Sequence, residues 1–186
     1  MAKVKKRSKK INKASAAILV LLLITAAAVG ITIWALFFRN PAPELTPDFA
    51  PQEVEEYAEP AEDDSGEKME VSEGGGAVSM TYQKTVEISL EDQQAKLLFQ
   101  NPSRSVNDIV LQIIIVGEDG TETVIAQSGT LEPGYKVEKL DLIQDAAKLS
   151  QGTYTGKFKV MYYDPDTGER AVLTSSIEDV EITVNN

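Results

Sequence analysis

Val106-Asn-Asp-Ile-Val-Leu-Gln-Ile-Ile-Ile-Val116 is the most apolar stretch of the chain beyond residue 40, and its reading decides the fold. Ile109, Leu111, Ile113 and Ile115 fall on one face of an extended strand, and Val110, Ile114 and Val116 on the other. A strand apolar on both faces lies at the centre of its sheet or is covered on both sides. Upstream, Val86, Ile88 and Leu90 alternate with Glu87, Ser89 and Glu91, the pattern of a half-buried strand. Residues 95–100 give another, ended by Asn101-Pro102, which cannot continue a ladder.

Downstream, Asp119-Gly120 is a hairpin signal leading into residues 123–127. Pro133-Gly134 marks the next turn, before residues 135–142. Ile143, Ala146, Ala147 and Leu149 have helical spacing, which predicts a short helix or turn crossing between sheets. Tyr154, Phe158, Val160 and Tyr162 then point one way, with Lys157 and Lys159 opposite. Asp164-Pro-Asp-Thr-Gly168 makes a hairpin into residues 169–174, and Val180, Ile182 and Val184 form the last strand. Seven or eight short strands over residues 77–186 predict an all-β domain, an antiparallel β-sandwich.

Leu149-Ser-Gln-Gly152-Thr-Tyr154 resembles the tyrosine corner of immunoglobulin-like and fibronectin type III domains, which implies a Tyr hydroxyl bonded back to nearby backbone. The chain has no cysteine, and its one tryptophan, Trp34, lies in the N-terminal apolar run, so the antibody-type Cys-Trp-Cys core is excluded and the broader immunoglobulin-like sandwich stands. Phe99-Gln-Asn-Pro102, Gln127-Ser-Gly129 with Leu131-Glu-Pro-Gly134, and Gly156-Lys-Phe-Lys-Val160 with Tyr162-Tyr163-Asp-Pro165 resemble membrane-anchored, single-domain surface proteins of Gram-positive gut bacteria. That resemblance implies a fold and a location; it carries over no functional residue.

The N-terminal region supplies the location by its own chemistry. Lys3, Lys5, Lys6, Arg7, Lys9, Lys10 and Lys13 give residues 1–13 a charge of +7. Residues 14–38 are uncharged and mostly apolar, and Arg39 closes the run. Twenty-five helical residues span roughly 37 Å, enough to cross a hydrocarbon core of about 30 Å. Positive charge stays cytoplasmic, so we expect the N-terminus inside and the C-terminal domain outside. Trp34, Phe37 and Phe38 suit the outer interface. The rival reading is a cleaved signal peptide ending near Ala26-Ala27-Ala28, but the apolar run continues past the length of a signal's apolar core. Ala26 and Gly30 form a small-xxx-small pair that would let two helices pack, although alanine is common in membrane spans. The basic head could also touch anionic lipid, beyond its role as a topology signal.

Residues 39–76 are acidic and proline-rich. Residues 40–73 carry 12 acids against Lys68, with five prolines and few large apolar side chains. Such a stretch buries too little surface to offset its chain entropy, so it reads as a disordered spacer of up to about 105 Å, with Gly74-Gly75-Gly76 as a swivel. The alternative is an acidic docking segment anchored by Phe49 and Tyr57.

The exterior charge of −19 repels phosphates and argues against nucleic-acid binding. Absence of disulfides leans towards a bacterial surface protein. Asn101-Pro102 and Asn107-Asp-Ile109 break the glycosylation acceptor pattern. With no His and no Cys, the usual neutral-pH base, the most reactive nucleophile and the common zinc ligands are gone. Asp164, Asp166 and Glu169 suggest a calcium loop only in part: the EF-hand pattern needs a third ligand before the Gly and a Glu six residues after it. A hairpin turn explains the same letters.

We therefore expect no enzyme, no cofactor, no metal and no catalytic residue. The expected function is a membrane-anchored module for binding or structural interaction at the cell envelope. It would contact the bilayer through residues 14–38 and a protein or cell-wall partner through loops 101–106, 117–121 and 164–168, with Tyr135 and Tyr163 beside turns. The alternatives are an accessory subunit of an envelope-spanning secretion, conjugation or division complex and, more remotely, a carboxylate-based hydrolase.

Overall fold

The computed structural model describes residues 18, 20–30, 45–61, 66–70, 77–143, 146 and 148–186. It divides into two compact units, the second running from residue 42 onwards. In the first, residues 20–30 are helical, and Leu21, Leu22, Leu23 and Ile24 are exposed. Among the described residues no helix is long and apolar enough to cross a membrane. The expected head, 1–13, and most of the expected span, 14–38, lie outside the described residues.

The second unit is one curled sheet. Its strands are β1 (Ala58–Pro60), β2 (Thr81–Tyr82), β3 (Thr85–Ser89), β4 (Gln94–Asn101), β5 (Asp108–Val116), β6 (Glu122–Gln127), β7 (Tyr135–Asp141), β8 (Gly152–Tyr163) and β9 (Arg170–Asn185). They pair in the order β1-β7-β4-β3-β9-β8-β5-β6, with β2 also on β4. The all-β reading holds, but pairing is not antiparallel throughout: β3 runs parallel to β9, with Val86 opposite Ile182. The two runs read as separate last strands are one. Asp179, at φ 60°, lets β9 bend within a single strand instead of breaking it.

The curl brings the inner faces together. Phe99 of β4 meets Phe158 of β8 edge to face, with ring centroids 5.6 Å apart, and Tyr82 stacks on Phe99. Ile109, Leu111, Ile113, Val160, Val137 and Ile182 fill the space between. Burial of such side chains stabilises by about 1.5–3 kcal/mol each, which a domain without disulfides requires. The sheet nearly meets itself where the Ile143 N–H donates to the Ile125 carbonyl at 2.9 Å. The β7–β8 connection makes i to i+3 bonds, Ala146 to Ile143 and Leu149 to Ala146, the short helical turn its spacing implies. The Tyr154 hydroxyl donates to the Ser150 carbonyl at 2.8 Å, the bond implied by the tyrosine-corner motif.

The expected disordered spacer needs correction. Residues 45–61 lie on the folded body as a strap, and residues 66–70 also touch it. Phe49 bridges Glu169, Val54 bridges Thr130, and β1 pairs with the edge of β7. Met69 donates its backbone N–H to the Arg104 carbonyl. The folded body therefore begins inside the acidic stretch, not at Ala77. Composition misleads here because the strap is held by backbone pairing, which needs little apolar side-chain area; an extended, proline-rich backbone suits a sheet edge. Residues 39–44, 62–65 and 71–76 lie outside the described residues.

Gly156 shows how tightly β8 is seated: a Cβ there would lie 2.4 Å from the Ile114 carbonyl oxygen and 2.4 Å from Ile182 Cδ1. Gly156→Ala should therefore lower stability by about 1–3 kcal/mol, read as an earlier midpoint in denaturant unfolding with an unchanged slope.

Candidate functional site

The sheet register places the connections at two ends. Asp108 opposes Tyr163 and Ile115 opposes Gly156, so the β4–β5 and β8–β9 connections share one end and the β5–β6 hairpin lies at the other. Loops 101–106 and 164–168 are thus neighbours, while 117–121 is remote from both. The three candidate loops do not build one surface.

At the shared end the structure is held by buried amides that the sequence reading missed. Asn107 accepts from the Ala77 N–H at 3.0 Å and donates to the Tyr163 carbonyl at 3.1 Å. Asn101 donates to the carbonyls of Asn107 and Leu131, both at 3.0 Å. Only the pairing of two asparagines with flanking apolar runs could have signalled this, and that pattern is equally the signature of a turn. The Asp164 carboxylate accepts from the backbone N–H groups of Asp166 and Thr167, at 3.0 and 2.8 Å, and these bonds hold its pKa below the ordinary carboxylate value. The aspartate thus serves its own turn. Among the described residues no group of three or more acids is placed to hold a metal ion.

Asp108 sits half-buried at the start of β5. Burial pushes its pKa up to about 6; the negative charges of Glu132 and Asp164 raise it too, against the opposing pull of Lys68. Lys68 donates to the Ser105 carbonyl at 2.8 Å, which brings the one lysine of the acidic stretch to this end.

The strap crosses the outer face of β5 and β8. Tyr163, fully buried, donates its hydroxyl to the Pro47 carbonyl at 3.0 Å and packs with Val110, Met161 and Ala50. A loop-side contact residue at Tyr163 is thereby ruled out; its ring is covered by the protein's own strap. Tyr135 is half-buried at the start of β7, opposite Pro60. Gln112 donates to the Leu45 carbonyl and to Gln127 Oε1. The Arg170 N–H donates to the Asp48 carbonyl at 2.9 Å, and the Ala50 N–H to that of Gly168 at 2.7 Å. Further along, buried Glu55 accepts from the Gly129 N–H at 2.7 Å and from the Tyr57 N–H at 3.1 Å. Gly129 is required by this approach, since a Cβ there would lie 2.8 Å from the Glu53 carbonyl oxygen. Tyr57 donates to Asp141, which raises its own pKa, and Lys139 Nζ stands 4.2 Å over its ring. Of the two aromatic residues in the strap, Tyr57 is engaged within the chain, while Phe49 is 59% exposed.

Phe49 borders an open groove of about 630 Å³, whose other walls include Asp48, Lys159, Arg170, Val172 and Thr174. Its charges are mixed, and Val172 is 91% exposed. The groove has no enclosed, apolar interior of the kind that buries a small ligand.

No protein-family model matches this chain, and no curated protein does. Among solved structures, the chain is similar to AggA, the major subunit of aggregative adherence fimbriae type I from Escherichia coli. Identity is 9% and the TM-score 0.30, over 63% of this chain and 100% of that one.

The charge state of Asp108 makes stability depend on pH. Its folded pKa lies above the ordinary value, so the folded state binds the extra proton. Stability from this group is present below about pH 4 and is lost as pH rises through about 6. Asp108→Asn should raise stability at pH 7.5 by about 1 kcal/mol, allowing for solvent screening of a half-exposed group, with the gain vanishing at pH 4. Paired urea melts at the two pH values check it.

Proposed function

We propose that this chain is a single-pass membrane protein that displays a small immunoglobulin-like β-sandwich outside the cell, for binding or structural interaction at the cell envelope. The observation that carries this reading is the charge asymmetry around the apolar run: +7 before residue 14, Arg39 alone just beyond residue 38, and acids thereafter. The exposed apolar side chains of residues 20–30 agree with a lipid-facing helix.

The sandwich part of the reading is supported by the strand pairing and by Tyr154. In immunoglobulin-like folds a strand near the chain's end carries the tyrosine corner and neighbours the last strand; here β8 carries Tyr154 and pairs with β9. The binding part rests on display itself and on the exposed Phe49 and Val172 beside the groove. The inner faces are filled by packed side chains, and the titratable groups described above serve turns, strap contacts and stability. A module that binds or bears structure fits such a body better than one that performs chemistry.

The topology is tested with tags on both termini of the full chain in intact cells. External protease should remove the C-terminal tag and spare the N-terminal one. Protection of the C-terminal tag, with cleavage restored on lysis, would place the domain inside and sink the reading.

A further inference from the structure

The outer edge of β9 is occupied at both ends and open between them. At its start the strap pairs with it: Phe49 bridges Glu169, and the Arg170 N–H donates to the Asp48 carbonyl. Towards its end β3 pairs with residues 181–185, and Lys84 Nζ donates to the Glu178 carbonyl at 2.7 Å. Strap and β3 both stand on the side away from β8. Alternation turns the backbone N–H and C=O groups of Thr174 and Ser176 to that same side. Among the described residues no strand pairs there between Arg170 and Glu178. Natural sheet edges are protected by charge, proline or a covering segment. This one reads Ala171-Val-Leu-Thr-Ser-Ser-Ile177, without a charge or a proline in a chain that is 25% charged. The Thr174 and Ser176 side chains are exposed, and Val172 stands almost wholly in solvent.

We propose that this edge takes an extended segment of a partner protein as an added strand, one that brings a carboxylate to Lys159. This deepens the binding reading above and rests on it. A row of free backbone groups offers main-chain bonds to any extended peptide, and the side chains beside it select among peptides. Lys159 supplies the selection. It lies opposite Ser176 on β8, half-buried in the groove bordered by Phe49 and Val172. The described ion pairs use Lys136, Lys157 and Arg170, and none uses Lys159. Of the acids lining the groove, Asp48 stands 3.7 Å from Arg170, and Glu169 makes no ion pair with Lys159. An added strand lies two strand spacings from β8, about 10 Å. Thr174 and Ser176 are small, so an acidic side chain of that strand reaches over them to the ammonium. Phe49 and Val172 give an apolar side chain of the same segment a place to pack. A second copy of this chain fits less well. Strap and β3 each project one strand beyond β9, so an equally recessed edge cannot come alongside. A single extended segment of about six residues, roughly 20 Å long, fits between them.

The test uses the full chain in detergent micelles and capped peptides of alternating threonine and valine, about seven residues long, with a central glutamate or a central lysine. Amide hydrogen exchange reads the edge. The glutamate peptide should slow exchange at Thr174 and Ser176 at least about fivefold and leave β5 unchanged. It should also bind at least about tenfold more tightly than the lysine peptide. Lys159→Gln should erase that preference and keep the edge protection. The glutamate peptide with its backbone nitrogens methylated should give no protection, because it cannot donate to a ladder. Absence of protection at millimolar peptide would overturn the proposal, as would equal binding of the two peptides. Protection that rises with protein concentration alone would make a second copy the occupant and overturn it too. Binding that perturbs Phe49 and Val172 without protecting Thr174 and Ser176 would keep the binding reading and sink the added strand. None of these readings depends on membrane orientation, so the topology stands or falls by its own protease test.

Discussion

The structure depends on one strand having two apolar faces. β5 puts Ile109, Leu111, Ile113 and Ile115 into the main core, and puts Val110 on the opposite face with Met161 and Tyr163 of β8. A curled sheet solves only the first face. The second would leave a patch centred on a tyrosine ring open to water, and burial of a large aromatic is among the larger single contributions available to a small body. The strap supplies the missing layer with Pro47, buried, and Ala50, whose small side chain fits against the patch. It also supplies the Pro47 carbonyl that the buried Tyr163 hydroxyl needs. An acidic segment that looks unable to fold is therefore part of what lets the most apolar strand of the domain stay dry on both sides.

Much of the fold was legible in the sequence for that same reason. Period-two alternation placed β3, β4 and β8, and turn residues placed the Asp119-Gly120 and Asp164–Gly168 hairpins, because side-chain burial and turn geometry leave local marks. Tyr154 was legible because its bond to Ser150 is only four residues long. What stayed hidden acts over distance through the backbone. The Pro47–Tyr163 bond joins residues 116 apart, and nothing in either neighbourhood announces the other. The parallel pairing of β3 with β9 has no local signature, and residues 175–179, which read as a gap between two strands, are continuous strand with a bend at Asp179. Even so, the sequence held a clue to the strap: two-sided apolarity in β5 called for a second cover, and the acidic stretch was the one long segment left to provide it.

The candidate loops show the opposite limit. Polar and aromatic residues beside turns read equally well as contact residues or as scaffolding. Tyr163 and Asp164 proved to be scaffolding, one buried under the strap and the other closing its own turn. Phe49 is different. Its backbone pairs with the edge beside Glu169 while its ring is left in solvent next to Val172. Large apolar side chains that the fold could have buried, but presents together on a charged surface, are where contact energy is available.

Stability is then shared unequally between the interior and the strap. A domain that carries no disulfide draws its stability from the packed interior between β4 and β8, and that interior does not involve residues 45–61 beyond Tyr57 and Ala58 at its margin. The strap adds to that core an outer patch, backbone pairing and side-chain bonds at Pro47, Glu55 and Tyr57. Four of its five acids, Asp48, Glu53, Glu56 and Glu59, are exposed, where their charge stays hydrated at little expense. Glu55 alone is drawn in, and it is matched to the Gly129 and Tyr57 N–H groups where a buried carboxylate needs donors. The composition that reads as disorder thus leaves most of the strap's charge in water, while one buried carboxylate fixes where it lies against the body.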